Sequence, residues 1–326
     1  MAMNVNFFQQ DLFPIIEPYR KGMLSVGDGH KIYWEQSGNP NGQPVVFFHG
    51  GPGAGSNPVH RRFFDPRYYQ IIIFDQRGAG RSLPLANLIN NSTDYLLKDI
   101  ELLRNHLNIK KWLIFGGSWG STLALVYGIK HADRCNGFIL RGIFLGDTSE
   151  LDWFLYGIRN IYPEPWNLFT SFLSNEEQGD LIDSYYRRLI NPDPSVHMLA
   201  AKAWCQYESQ CSVLDVNFQN IKQPSDFINK KALALARIEV HYFRNGMFID
   251  DGYIIHNISA VHGIPATIIQ GRYDIICPII TADKLSNAWP GSNYIIVPNT
   301  GHSALEKSTR HELVKSTEKF KSYLTK

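Results

Sequence analysis

The pentapeptide Gly116-Gly117-Ser118-Trp119-Gly120 constrains this chain more than any other stretch. It follows an apolar run, Trp112 to Phe115, and precedes a helix-like segment, Ser121 to Ile129. A strand passes into a helix over so few residues only by turning sharply, and the positions two before and two after the serine must then be small. Gly116 and Gly120 meet that requirement. Such a turn lifts the Ser118 hydroxyl above the end of a sheet, beside the free N–H groups and positive potential of a helix start. The plainer alternative is a glycine-rich turn whose serine only caps the helix.

The rest of the chain supplies that sheet. Val45 to Phe48 and Ile71 to Phe74 are unbroken β-rich runs, as expected of strands covered on both faces of a mostly parallel sheet. The first ends in His49-Gly50-Gly51-Pro52-Gly53 and the second in Asp75-Gln76-Arg77-Gly78. Upstream, Met23 to Val26 and Lys31 to Gln36 flank Gly27-Asp28-Gly29 as a hairpin. Leu96, Ile100, Leu103 and Leu107 recur at a helical period over Asp94 to His106, with Ser92 or Thr93 as cap. Gly137 to Arg141 reads as a further strand. Alternation of strand and helix then stops, and residues 146–255 read as helices rich in aromatics. It resumes with strands at Ala266 to Gln270 and Tyr294 to Val297 and helices after Pro278 and from Glu306 to Tyr323. The expected division is an α/β core over 1–145 and 256–326, with a helical domain over 146–255 inserted between its strands. Two units accord with about 150 residues per domain.

Composition narrows the functional classes. With 44% apolar and 19% charged residues the chain is neither disordered nor a coiled coil. A net charge of +2 with interspersed signs argues against nucleic-acid and polybasic membrane partners. No apolar run approaches the roughly 18 residues of a membrane span, and Met1 to Ile15 lacks the pattern of an export signal. Cys135, Cys205, Cys211 and Cys277 form no CxxC pair, so they are expected to be reduced thiols in a cytoplasmic protein. No metal or cofactor is expected.

A serine hydroxyl attacks only when a base takes its proton. After a turn of this kind the partners follow in the order serine, acid, histidine. His302, in Asn299-Thr300-Gly301-His302-Ser303 behind the last strand, is the expected base; His311 falls in the final amphipathic segment. Asp274 closes Gly271-Arg272-Tyr273-Asp274 directly behind Ala266 to Gln270 and is the expected acid, with Asp147 as competitor. An oxyanion needs two fixed N–H donors. Trp119 supplies one. The loop His49 to Gly53 supplies the other, from Gly51 or, second, from Gly50.

These motifs together resemble the prolyl aminopeptidase (proline iminopeptidase) family of the α/β-hydrolase superfamily. The resemblance runs along nearly the whole chain. It includes His49 to Gly53, Phe74 to Ser82, Gly116 to Ser121, Arg141-Gly142-Ile143-Phe144, Ala236-Arg237-Ile238-Glu239, His241-Tyr242-Phe243, Gly271 to Asp274 and Gly301-His302-Ser303. It implies an α/β-hydrolase fold with a helical cap, and release of an N-terminal proline from peptides through an acyl-enzyme. It also implies that Glu208 and Glu239 hold the substrate's free amine and that Phe144, Phe154 and Phe243 enclose the proline ring. Read alone, Glu208 and Glu239 lie on apolar helical stripes, where a carboxylate is costly unless paired. That reading leaves an internal salt bridge and a bound amine both open, and the three phenylalanines read equally as cap core. Phe154 stands where some members of the family carry tyrosine, and Tyr207 where tryptophan is common. Two other functions remain: a hydrolase of small esters or amides, and a non-catalytic binding protein of the same fold. Whether copies associate is left open.

Overall fold

The computed structural model describes residues 12–214 and 226–324. Eight strands form one sheet in the order β1-β2-β4-β3-β5-β6-β7-β8. They are β1 (Arg20–Gly27), β2 (His30–Gly38), β3 (Gln43–Phe48), β4 (Tyr69–Phe74), β5 (Trp112–Ser118), β6 (Cys135–Ile143), β7 (Ala266–Gly271) and β8 (Asn293–Val297). The hairpin β1–β2 and the pair β2–β4 are antiparallel; every later pair is parallel.

The unbroken apolar runs have a simple cause. Val46, Phe48, Ile72, Phe74 and Ile114 face one side of the sheet, against α1 (Thr93–His106) and α2 (Trp119–Lys130). Val45, Phe47, Ile71, Ile73, Leu113 and Phe115 face the other, with Phe63, Phe64 and two residues of the last helix, Leu313 and Phe320. A strand covered on both faces has no polar side to show. Each such side chain contributes about 1.5–3 kcal/mol on burial. Ser92 occupies the N-cap of α1 without a side-chain capping bond, while the Thr93 hydroxyl donates to the Met247 carbonyl at 2.5 Å.

Between β6 and β7 the described chain is helical. It runs through α3 (Thr148–Asp152), a π-helical turn (Trp153–Gly157), α4 (Pro163–Ser171), α5 (Leu181–Leu189), α6 (Pro194–Cys211), α7 (Asp226–Arg244) and α8 (Tyr253–Asn257). Its aromatics form one nucleus: Phe169 stacks on Tyr185 and on Tyr207, each at 4.5 Å between centroids, and meets Trp204 edge-on. The chain closes with α9 (Ile279–Ala288) and α10 (Lys307–Leu324). Among the described residues no helix is long and apolar enough to cross a membrane.

Candidate active site

Ser118 ends β5 and precedes α2 with φ 57° and ψ −130°. A non-glycine residue is held there only by its surroundings, because that region is crowded for any side chain. The flanking glycines show what holds it. A Cβ on Gly116 would run into the Gly120 carbonyl, and one on Gly120 into that of Phe48. The elbow is therefore clamped between its own helix and the end of β3.

His302 and Asp274 meet at the ends of neighbouring strands. His302 Nδ1 lies 2.8 Å from Asp274 Oδ2. Asp274 also accepts the Cys277 N–H at 2.8 Å and the Gln270 amide at 3.2 Å, which fix its carboxylate. Asp147 sits elsewhere: it pairs with Lys284 at 3.2 Å and accepts the Gly252 N–H at 2.8 Å. The Nε2 atom of His302 accepts from Arg141 Nη1 at 3.2 Å, and the same Nη1 donates to the His302 carbonyl at 2.7 Å. A guanidinium can only donate. Nε2 therefore holds a lone pair, and Nδ1 carries the hydrogen that points at Asp274. Arg141 also packs against the elbow, since a Cβ on Gly117 would stand 2.5 Å from its Nη2. One half-buried guanidinium thus spans from the Ser118 turn to the imidazole. The backbone N–H groups of His302 and Ser303 both end on the carbonyl of Ser212, the residue capping α6, at 3.1 and 3.0 Å.

A narrow cavity of about 20 Å³ joins the expected groups. Ser118 and Gly51 stand on its core side; Phe144, Phe154, Phe243, Glu208 and Glu239 complete it. Phe154 and Phe243 meet edge-on at 5.6 Å, and Phe144 lies 6.4 Å from Phe243. Glu208 comes from α6 and Glu239 from α7. Glu239 accepts the Trp204 indole N–H at 2.6 Å. Burial pushes Glu208 up to about 7. It raises Glu239 as well, which further feels the charge of Glu208, while the indole bond opposes the rise. Two desolvated carboxylates in one cavity form a site that favours a cation.

The cavity and its surroundings also hold residues that sequence reasoning did not assign to the site. Glu150 is a third carboxylate, raised to about 7 by burial and held by the N–H groups of Leu145 and Asp147. Its only sequence signal is its place in a capping box with Asp147. Arg141 appeared only within a motif. Gln270 could have been noticed as a polar residue inside the apolar strand β7; its carbonyl oxygen accepts the Ile143 N–H while its amide reaches Asp274. Cys277 lines the cavity beside Ser118, and burial holds its thiol far above the ordinary range.

Comparison with known proteins agrees with this architecture. Residues 43–309 match the model of the α/β hydrolase fold. A proline iminopeptidase from Arabidopsis thaliana is 48% identical over 319 residues, covering 97% of this chain and 83% of that protein. One from Xylella fastidiosa is 44% identical over 313 residues, covering 95% and 99%. Among solved structures, a proline iminopeptidase from Mycobacterium smegmatis superposes with a TM-score of 0.61 at 16% identity, covering 93% of this chain and 98% of that one, which speaks for the fold alone. The chain belongs to the proline iminopeptidase family of α/β hydrolases.

Proposed function

We propose that the protein releases an N-terminal proline from peptides, with Ser118 as nucleophile, His302 as base and Asp274 as the acid that orients it. The observation that carries this reading is the shared cavity: an elbow serine, three phenyl rings and the carboxylates of Glu208 and Glu239 line one space. Phenyl walls suit an apolar five-membered ring. The carboxylates of Glu208 and Glu239 suit its protonated imino nitrogen, and with that nitrogen seated among them a residue preceding proline has no room.

The chemistry follows from the tautomer. The Ser118 proton passes to His302 Nε2 as Oγ bonds to the scissile carbonyl carbon. That transfer requires the lone pair Arg141 now occupies, so the guanidinium must yield it. Negative charge on the carbonyl oxygen is met by the N–H groups of Gly51 and Trp119. His302 then gives its proton to the leaving nitrogen, the C–N bond breaks, and a prolyl ester of Ser118 remains. Water, deprotonated in turn by His302, attacks that ester and frees proline. On this reading residues 146–255 act as a cap domain that brings the amine site to the core. The substrates are peptides beginning with proline. Free thiols at Cys135, Cys205, Cys211 and Cys277 fit a cytoplasmic protein.

The test compares anilides of proline, alanine and N-acylated proline with a neutral ester of similar size. Proline anilide should be turned over fastest and its acylated form hardly at all. Equal rates on free and acylated proline would refute amine recognition and leave a small-molecule esterase.

A further inference from the structure

We propose that Gln76 positions the oxyanion hole, tying the loop after β3 to the start of α2 through His49 and Trp119. The inference rests on the reading of Gly51 and Trp119 as the two donors. Gln76 follows β4 and contributes neither donor itself. It is 2% exposed, His49 1% and Trp119 0%, so no water substitutes for bonds lost among them.

Four hydrogen bonds make the link. The Gln76 backbone N–H donates to His49 Nε2 at 3.0 Å. Its side-chain Nε2 donates to the His49 carbonyl at 2.9 Å. Its Oε1 accepts the Trp119 indole N–H at 2.9 Å. His49 Nδ1 lies 2.9 Å from the Gly50 carbonyl oxygen. These assignments fix one another. His49 Nε2 accepts, so the hydrogen sits on Nδ1 and is donated to Gly50. The Gln76 amide cannot be reversed, because that would set its NH₂ against the indole N–H and its oxygen against a carbonyl. The Gly50–Gly51 peptide is not among the cis bonds of the described chain. In a trans peptide the N–H points opposite the C=O. Gripping the Gly50 carbonyl therefore aims the Gly51 N–H. The same amide that holds this loop also holds the indole of Trp119, the residue whose backbone N–H is the second donor. Two donors from separate elements are thereby set at one spacing.

The experiment uses the whole protein and two probes. Prolinal, the aldehyde of proline, forms a hemiacetal with Ser118 whose oxygen enters the hole; pyrrolidine fills only the ring and amine sites. Gln76→Met should lower kcat on proline anilide by about 10- to 100-fold, part of what losing a donor costs. It should weaken prolinal by the same factor and leave pyrrolidine within about twofold. His49→Asn, whose amide nitrogen overlays Nδ1, should retain most of kcat and of prolinal affinity. His49→Gln, whose amide overlays Nε2, should lose both. The proposal is overturned if prolinal and pyrrolidine weaken equally in Gln76→Met, if kcat is unchanged, or if the two His49 variants fall alike. Should Gln76→Met fail to fold, the His49 pair decides. Wild-type protein that binds prolinal no better than pyrrolidine would instead refute the oxyanion reading itself.

Discussion

A Cβ placed on Gly142 would stand 3.0 Å from Cε1 of His302, and 3.3 Å from Oδ2 of Asp274. The backbone of β6 thus passes directly against the His302–Asp274 pair, at a residue with φ +55°. Gly142→Ala strains the backbone by about 1–2 kcal/mol and pushes the imidazole off its bond. It should lower kcat by on the order of tenfold or more, since small misplacements of a catalytic group are costly. On the proposal that His302 is the base for every substrate, the loss should be equal on proline anilide and on a neutral ester. Unequal losses would show that Gly142 acts through the amine pocket.

Ser118→Ala should bind proline peptides and turn over essentially none, with a loss near the roughly 10⁶ in kcat typical of a serine nucleophile. Asp274→Asn should keep its fold and lose on the order of 10⁴ through the wrong imidazole tautomer. Asp147→Asn, which touches Lys284 and not His302, should cost little. If Asp147→Asn proves the more damaging, Asp274 is not the acid.

Glu208→Gln and Glu239→Gln keep shape and remove charge. A charge-assisted hydrogen bond is worth roughly 1.5–3 kcal/mol. Each variant should therefore lose about 10- to 150-fold in kcat/KM on proline anilide. An ester without a cation should be hydrolysed at nearly the wild-type rate. Equal losses on both substrates in Glu239→Gln would mean that it supports the cap and does not hold the amine.

The raised carboxylates give stability a definite pH dependence. Glu208 titrates near 4.5 in an unfolded chain and at about 7 when folded, so the folded state holds a proton the unfolded state has lost in between. That contribution is complete below about 4.5 and disappears as pH rises through 7; Glu239 and Glu150 act in the same direction. Burial lowers His49, His60 and His241, which oppose this trend below about pH 6.5. The melting temperature of the ligand-free protein relative to that of Glu208→Gln should therefore fall from about pH 5 to 8, and pyrrolidine should reverse the fall at the upper end. Over the same range the ratio of kcat/KM on proline anilide to that on the ester should rise, as the carboxylates gain the charge that attracts the amine. A flat ratio would remove the pair from amine binding.

Cys277 donates its backbone N–H to Asp274 and lines the cavity beside Ser118. Its thiol is held protonated by burial, so it should react slowly with thiol reagents; once modified, it should displace the acid loop. Cys277→Ser should be active and resistant to such reagents. Continued sensitivity in that variant would assign the inhibition to another cysteine.

What could be read from the chain alone was local. The elbow, the hairpin turn and the strand ends carrying Ser118, Asp274 and His302 each lie within a few residues, where small side chains and apolar period leave little choice. The sheet emerged with strands slightly longer than their apolar cores, because β5 continues through its two glycines to Ser118. The partners that join distant segments were not legible. Arg141 and His302 are separated by 161 residues, Gln76 and His49 by 27, and nothing in either neighbourhood announces the other. The order of segments already favoured Asp274 over Asp147 as the neighbour of His302, and the family resemblance already paired Glu208 with Glu239; only the contact distances needed three dimensions.

The cavity that joins Ser118 to Glu208 and Glu239 is narrow, and Phe144, Phe154 and Phe243 line it. Glu208 reaches it from α6, so a shift of that helix against the sheet would reshape it. The Ser212 carbonyl at the end of the same helix secures the N–H groups of His302 and Ser303. The helix that lends the cavity a carboxylate thus also anchors the loop that carries the imidazole, and a displaced α6 would loosen both at once.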